Sequence, residues 1–196
     1  MNYRGNHCGR DPFNSYWSRH IPLLTVFDVE QCHRLLKSRF NRSKTNAKLI
    51  LSELDQWIKQ QVSTIPSQSR WLVTRHQSMD NYSKRYGFKT MNLIDSNNHS
   101  MSLRLRTLSS VLKQLNSGKV PVLFTEQKPP SRLLQNLSRQ IRIPLISTPI
   151  IVDGLAPGGN TVSTSTRNTC IIVEALNGSC DRETGILLNK RWGSTK

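Results

Sequence analysis

The sequence predicts an α/β protein, with a parallel doubly wound sheet preceded by a long helix. Three observations carry this. After Pro66, short β-type runs alternate with helical patterns. The run "VPVLF", residues 120–124, has the uninterrupted apolar character of a strand buried on both faces. Upstream, Ala47, Ile50, Leu51, Leu54, Ile58 and Val62 recur at spacings of three and four, the signature of a helix with one apolar face.

Each element follows in order. Residues 1–19 show no period and read as irregular. Residues 20–42 hold an apolar run, "IPLLTVFDV", and a short basic helix, "VEQCHRLLKSRF". The long helix is expected over 43–65, with Ser43 as N-cap and Pro66 as its stop. "RWLVT" is then a strand and "SMDNYSKRYG" a helix ended by Gly87. "KTMNLID" is a strand, and "SLRLRTLSSVLKQLNSG" a helix ended by Gly118. "VPVLFT" is a strand, and "PPSRLLQNLSRQI" a helix with proline in its first turn. "IPLIS" and "PIIVD" are short extended pieces, "GLAPGGN" is a loop, and "STRNTCIIVEALNG" is a helix ended by Gly178. The tail, 181–196, is expected to be loosely attached. Strands alternating with helices imply right-handed crossovers and helices on both faces of the sheet.

Composition narrows the classes. The chain has 196 residues, 36% hydrophobic and 20% charged, enough to bury a core. No apolar stretch approaches the roughly 20 residues of a membrane span. The first twenty residues have no apolar h-region, so no signal peptide is visible. The net charge of +16 invites a nucleic-acid reading, but the basic residues are scattered and no three stand in a row. Sequence-specific nucleic-acid binding is therefore disfavoured. Cys8, Cys32, Cys170 and Cys180 form no CxxC pair. The simpler expectation is that Cys170 and Cys180 are unpaired thiols. A bridge between them requires an oxidising compartment and a chain that turns back after the helix holding Cys170.

The candidate chemistry stands at the carboxyl ends of the strands, where open parallel sheets place their ligands. His76 follows "WLVT", Asp95 closes "MNLI", Glu126 follows "VLFT", and Asp153 follows "IIV". Imidazole with carboxylates is a ligand set for zinc, and suits manganese or iron as well. Taken singly, each has a plainer reading: a loop histidine is usually solvated, and Asp95 suits an N-cap. Their coincidence at one rim favours a metal. "GLAPGG" lacks both the GxGxxG spacing and a P-loop lysine. No Ser-His-Asp order, GxSxG or HExxH occurs, so hydrolase chemistry has no sequence support.

Four segments, in order, resemble one family. They are "NAKLILSELDQWIKQQVSTIPSQSRWLVTRHQSMDNYSKRYGF", "GKVPVLFTEQKPPSRLLQNLSRQIRIPLI", "IIVDGLAPGG" and "RNTCIIVEAL". Together they are similar to the backbone helix and second lobe of the zinc- and manganese-type solute-binding proteins of ABC importers. The resemblance covers roughly residues 44–178. It implies a fold of two α/β lobes joined by a rigid helix, with one metal in the cleft between them. It implies His76 and Asp153 as metal ligands and Glu126 as a group that orients the site. His20, in "SRHIPLL", is the remaining candidate for a ligand from the first lobe; His7 is too doubtful to assign, and His99 has no counterpart. The cargo implied is zinc, manganese or iron, the partner an ABC importer permease, and the location periplasmic or cell-surface. On this reading 1–42 is a remnant of, or replacement for, the first lobe, 43–65 the backbone helix, 66–180 the metal-binding lobe and 181–196 a tail. The chain then reads as an N-terminally truncated form. Two alternatives stand beside it: a degenerate fragment that keeps the fold without tight metal binding, and a basic nucleic-acid-binding α/β protein. Arg75 and Gln77 flank His76 where the family commonly has a small residue and an acid, and a guanidinium there repels a dication unless it points away.

Overall fold

The computed structural model describes residues 26–75, 78–93, 112, 113, 115, 120–152 and 154–194. The chain divides into two compact units, Met1–Leu49 with Thr195–Lys196, and Ile50–Ser194. Helix α1 runs from Val26 to Ser63 without a break. Ser43 therefore lies inside the helix and is not its N-cap. The chain has no glycine or proline between 26 and 63 to stop the helix, so the short basic helix and the long one fuse. Across its last four turns Ile50, Leu54, Trp57, Ile58 and Val62 are buried, as their spacing requires. The helix closes with Thr64 and Ile65 N–H donating to the Gln61 and Val62 carbonyls, just ahead of Pro66.

Strand β1 is Trp71–Thr74, helix α2 Asp80–Tyr86, and strand β2 Lys89–Asn92. Gly87 ends α2 in the left-handed region, φ 75°, where a side chain is strained. β1 and β2 pair in parallel, from Trp71 opposite Lys89 to Thr74 opposite Asn92. Leu112, Lys113 and Leu115 are helical, and the rest of the segment 94–119 lies outside the described residues. Strand β3, Leu123–Phe124, pairs in parallel with β4, Leu145–Ile146. β1 lies beside β3. Among the described residues the hydrogen-bonded units are thus two parallel pairs rather than one continuous sheet. The fourth strand is "LI" of "IPLIS". The later piece, "PIIVD", makes one rung, Ile150 N–H to the Thr125 carbonyl at 2.9 Å.

Helix α3, Arg132–Ile141, begins after both prolines. Its N-cap is Ser131, whose Oγ accepts from Leu134 N–H at 3.3 Å, so neither proline stands in the first turn. Helix α4, Thr161–Ala175, starts four residues earlier than the sequence suggests. A reciprocal capping box between Asn160 and Ser163 sets that start, and it lies inside a stretch that reads as loop.

Alternate strand residues face opposite layers. Leu72 and Phe124 join one core with α1, α2 and α4. Val73 and Leu123 join a second core with Met91, Leu115, Leu134 and Leu137. Both faces are therefore covered, as parallel strands require. Phe124, fully buried, contributes roughly 1.5–3 kcal/mol by leaving water.

The tail departs most from expectation. Residues Arg182–Gly193 form a helix, α5, capped by Asp181, whose Oδ1 accepts from Thr184 N–H at 3.0 Å. Leu188 is buried, and Trp57 Nε1–H donates to the Asp181 carbonyl at 3.2 Å. Arg182 forms a two-pronged pair with Glu174, and Arg191 a second with Glu53. Cys170 and Cys180 are joined in a disulfide, contrary to the simpler expectation of two thiols. The reason is the turn after α4. Asn177 takes the left-handed conformation, φ 61°, and reverses the chain, bringing the two Cα atoms to 5.3 Å. Gly178, expected to be the helix stop, is required by space. A Cβ there would lie 2.6 Å from Thr64 Oγ1.

Candidate functional site at the carboxyl rim

β1 and β3 end side by side. The first residue beyond β1 is Arg75, and the first two beyond β3 are Thr125 and Glu126. Thr125 holds the turn that follows: its Oγ1 accepts from Gln127 N–H at 3.3 Å and donates to the Gln127 carbonyl at 2.9 Å. Glu126 is fixed from the opposite side of the rim, where Ser78 Oγ–H donates to its Oε1 at 2.7 Å. That bond links the loop after β1 to the loop after β3.

The third wall is the segment 150–152. One side chain of α4 positions it. Asn168 Oδ1 accepts from Ile151 N–H at 3.0 Å, and Asn168 Nδ2–H donates to the Ile151 carbonyl at 2.6 Å. The amide thus substitutes for a neighbouring strand. Arg167 adds a bond to the Pro149 carbonyl at 3.0 Å. These walls enclose a cavity of about 330 Å³, lined by Arg75, Thr125, Glu126, Gln127, Ser131, Leu134, Ile151 and Val152.

A second cavity of about 390 Å³ shares Ile151 and Val152 with the first and is bounded by Leu54, Ile58, Met79, Tyr82 and Tyr86. The tyrosines are held in place. Tyr82 shares a hydrogen bond with Thr169 Oγ1 at 3.1 Å, and burial pushes its hydroxyl well above the ordinary phenol range. Tyr86 O–H donates to Asp55 Oδ1 at 2.9 Å. Its hydroxyl is pushed up to about 12, first by burial and then by that carboxylate. Asp55 also accepts from Arg85 at 2.5 Å and from Lys59 at 2.9 Å, and the Arg85 hydrogen bond leads in holding its carboxyl far below the usual range.

Of the residues that the sequence marks as site candidates, Glu126 stands at the rim, in the cavity. His76, Asp153 and His20 lie outside the described residues, as do Asp95, His7 and His99. Among the described residues, no three His, Cys, Asp or Glu side chains are grouped to hold a metal ion. The chain neighbours of two candidates are placed: Arg75 before His76 and Val152 before Asp153 both line the cavity that holds Glu126. Two supporting residues escape sequence reasoning. Ser78 gives no signal of its own. Asn168 gives one, a buried amide on the apolar face of α4.

The family model for ZnuA, zinc-uptake complex component A, periplasmic, matches residues 36–175. The chain is 28% identical over 179 residues to the metal-binding protein YtgA of Chlamydia pneumoniae, covering 84% of this chain and 54% of that protein. It is 29% identical over 109 residues to the manganese ABC transporter substrate-binding lipoprotein PsaA of Streptococcus pneumoniae, covering 56% of this chain and 34% of that one. The crystal structure of Fe(III)-bound YtgA from Chlamydia trachomatis superposes with a TM-score of 0.56 at 26% identity, over 79% of this chain and 60% of that one. The periplasmic zinc-binding protein TroA of Treponema pallidum superposes with a TM-score of 0.59 at 21% identity, over 75% and 57%, and shares the fold. The chain spans about half the length of the curated relative it matches over most of its own length. The parallel α/β architecture and a family match over more than half of its residues agree: the chain belongs to the zinc-uptake complex component A family of periplasmic metal-binding proteins.

Proposed function

We propose that this chain binds a transition-metal ion, zinc, manganese or iron, as cargo for an ABC importer permease. It binds and releases the ion and performs no covalent chemistry. One observation carries the reading. Glu126 shares its cavity with Arg75 and Val152, the chain neighbours of His76 and Asp153. The described residues that lead into His76 and Asp153 thus line the cavity that holds Glu126, and this supports the reading. On this reading His76 and Asp153 bind the ion directly. Glu126, already held by Ser78, orients the set. The metal-binding lobe is then 66–180, and Asn168 acts as the clamp that steadies the loop leading to Asp153.

A periplasmic or cell-surface location is supported by the disulfide, which suits an oxidising compartment. No helix among the described residues is long and apolar enough to cross a membrane, so on this reading the permease supplies the passage. The test is titration of the wild type, His76→Ala, Asp153→Ala and Glu126→Gln with zinc and manganese. The first two variants lose most of the binding, and Glu126→Gln weakens it less. Binding by His76→Ala equal to that of the wild type refutes the reading.

A further inference from the structure

Helix α1 gathers basic residues that the sequence scatters. Between Glu30 and Glu53 the chain has six Lys and Arg and no Asp or Glu. The helix is unbroken through this stretch. Arg34, Lys37, Lys44 and Lys48 stand at spacings of three, seven and four, so at about 100° per residue they fall within an arc of roughly 80°. All four are exposed. Leu35, Arg42 and Leu49, spaced by sevens, run along the flank of this arc, and the two leucines are 51% and 54% exposed. Among the described residues, Lys37, Arg42, Lys44 and Lys48 make no ion pair. The next carboxylates along the helix are already taken, Glu53 by Arg191 and Asp55 by Arg85 and Lys59. The whole stripe lies in the first compact unit, Met1–Leu49 with Thr195–Lys196.

We propose that this face of α1 docks on an anionic lipid bilayer. The proposal goes beyond the metal reading and does not depend on it. Exposed cations on a helix usually belong to its solvated side. Two features set this face apart: no acid interrupts the cations over about 20 Å of helix, and large apolar side chains border them. A bilayer surface answers both. Its headgroups carry negative charge along the full length of the stripe, and the acyl boundary below them takes Leu35 and Leu49. The long stems of Lys and Arg let the charges stay at headgroup level while the leucines go deeper. A nucleic-acid duplex offers the charge alone and gives the leucines nothing to enter.

The full chain is sedimented with vesicles of equal parts phosphatidylglycerol and phosphatidylcholine, and with vesicles of phosphatidylcholine alone. The wild type is expected to bind the first and not the second, and to lose most of that binding by about 0.5 M salt. Lys37, Arg42, Lys44 and Lys48 are then replaced together by Gln, which keeps the helix propensity. Each cation near an anionic surface raises partitioning by roughly fivefold, so this variant should bind about a hundredfold more weakly or worse. Lys84, Lys128, Arg132 and Lys190, exposed on other elements, are replaced by Gln as a control with the same change in charge. That control should lose less than about threefold. Leu35→Gln with Leu49→Gln leaves the charge intact and should weaken binding by about fivefold or more. No binding of the wild type to anionic vesicles overturns the proposal. So does a control that loses as much as the stripe variant, because net charge alone then explains the binding. A leucine variant that binds as the wild type does also overturns it. Binding of a DNA duplex or of polyglutamate that needs the stripe, and persists in salt that strips the protein from vesicles, overturns it in favour of that partner.

Discussion

The clamp at Asn168 can be tested by its energy and by its chemistry. Asn168→Leu keeps the branched shape and removes both bonds to Ile151, now 3.0 and 2.6 Å long. Each bond contributes a net 0.5–1.5 kcal/mol or so, and a backbone group left buried without a partner costs about 1–3 kcal/mol. Ile151 is only half-buried, so water reaches part of the freed backbone. The expected loss is therefore about 2–3 kcal/mol, near the lower end of that sum. Urea unfolding followed by circular dichroism reads it as a lower midpoint at unchanged slope. Asn168→Asp separates hydrogen bonding from packing. The introduced carboxylate still accepts from Ile151 N–H, but it opposes the Ile151 carbonyl, so its folded pKa lies above its unfolded one. The penalty is present at neutral pH and disappears as pH falls through the folded value, when the protonated oxygen donates. The gap between this variant and the wild type must narrow on acidification, while the Asn168→Leu gap stays constant. Stability of Asn168→Leu within about 0.5 kcal/mol of the wild type refutes the clamp.

Three further outcomes follow from the same structure. Replacing both Cys170 and Cys180 by Ser opens a loop of sequence separation 10, and by chain entropy costs about 3 kcal/mol, read as a shift in the urea midpoint. Gly178→Ala places a Cβ 2.6 Å from Thr64 Oγ1 and 2.8 Å from Val173 Cγ1, and should lower stability by about 1–3 kcal/mol in the same assay. Asp55 has its carboxyl depressed, by the Arg85 hydrogen bond first. Its contribution is present above the unfolded pKa of about 3.9 and is lost as pH falls below it. Asp55→Asn should therefore destabilise the protein at neutral pH, by about 1 kcal/mol or less and less still in high salt, and should flatten the acid limb of its pH–stability curve.

Local patterns carried much of this protein. The three-and-four spacing from Ile50 to Val62, the apolar run at 120–124 and Gly87 after α2 are short-range signals, and each lies where its period or backbone demands. Glu126 was legible for the same reason, because a polar residue at the end of a buried strand is placed by the strand itself.

What only the tertiary structure decided depends on residues far apart in the chain. The tail is a docked helix because Leu188 and the cap at Asp181 find Trp57, which lies on α1. Nothing in residues 181–196 alone reveals that partner. The disulfide depends on a reversal at Asn177, a left-handed residue the sequence does not announce. Ser78 meets Glu126 across 48 residues, and Asn168 reaches back 17 to grip Ile151. Arg75 is read as a neighbour of His76 in the sequence, and only the folded rim sets it among the residues that line the cavity, its Nε buried and unpartnered among the described residues. Periodicity reports which face of an element is buried, because one element's geometry sets it. It cannot report which other element covers that face, because that is decided by packing between segments the chain brings together only on folding.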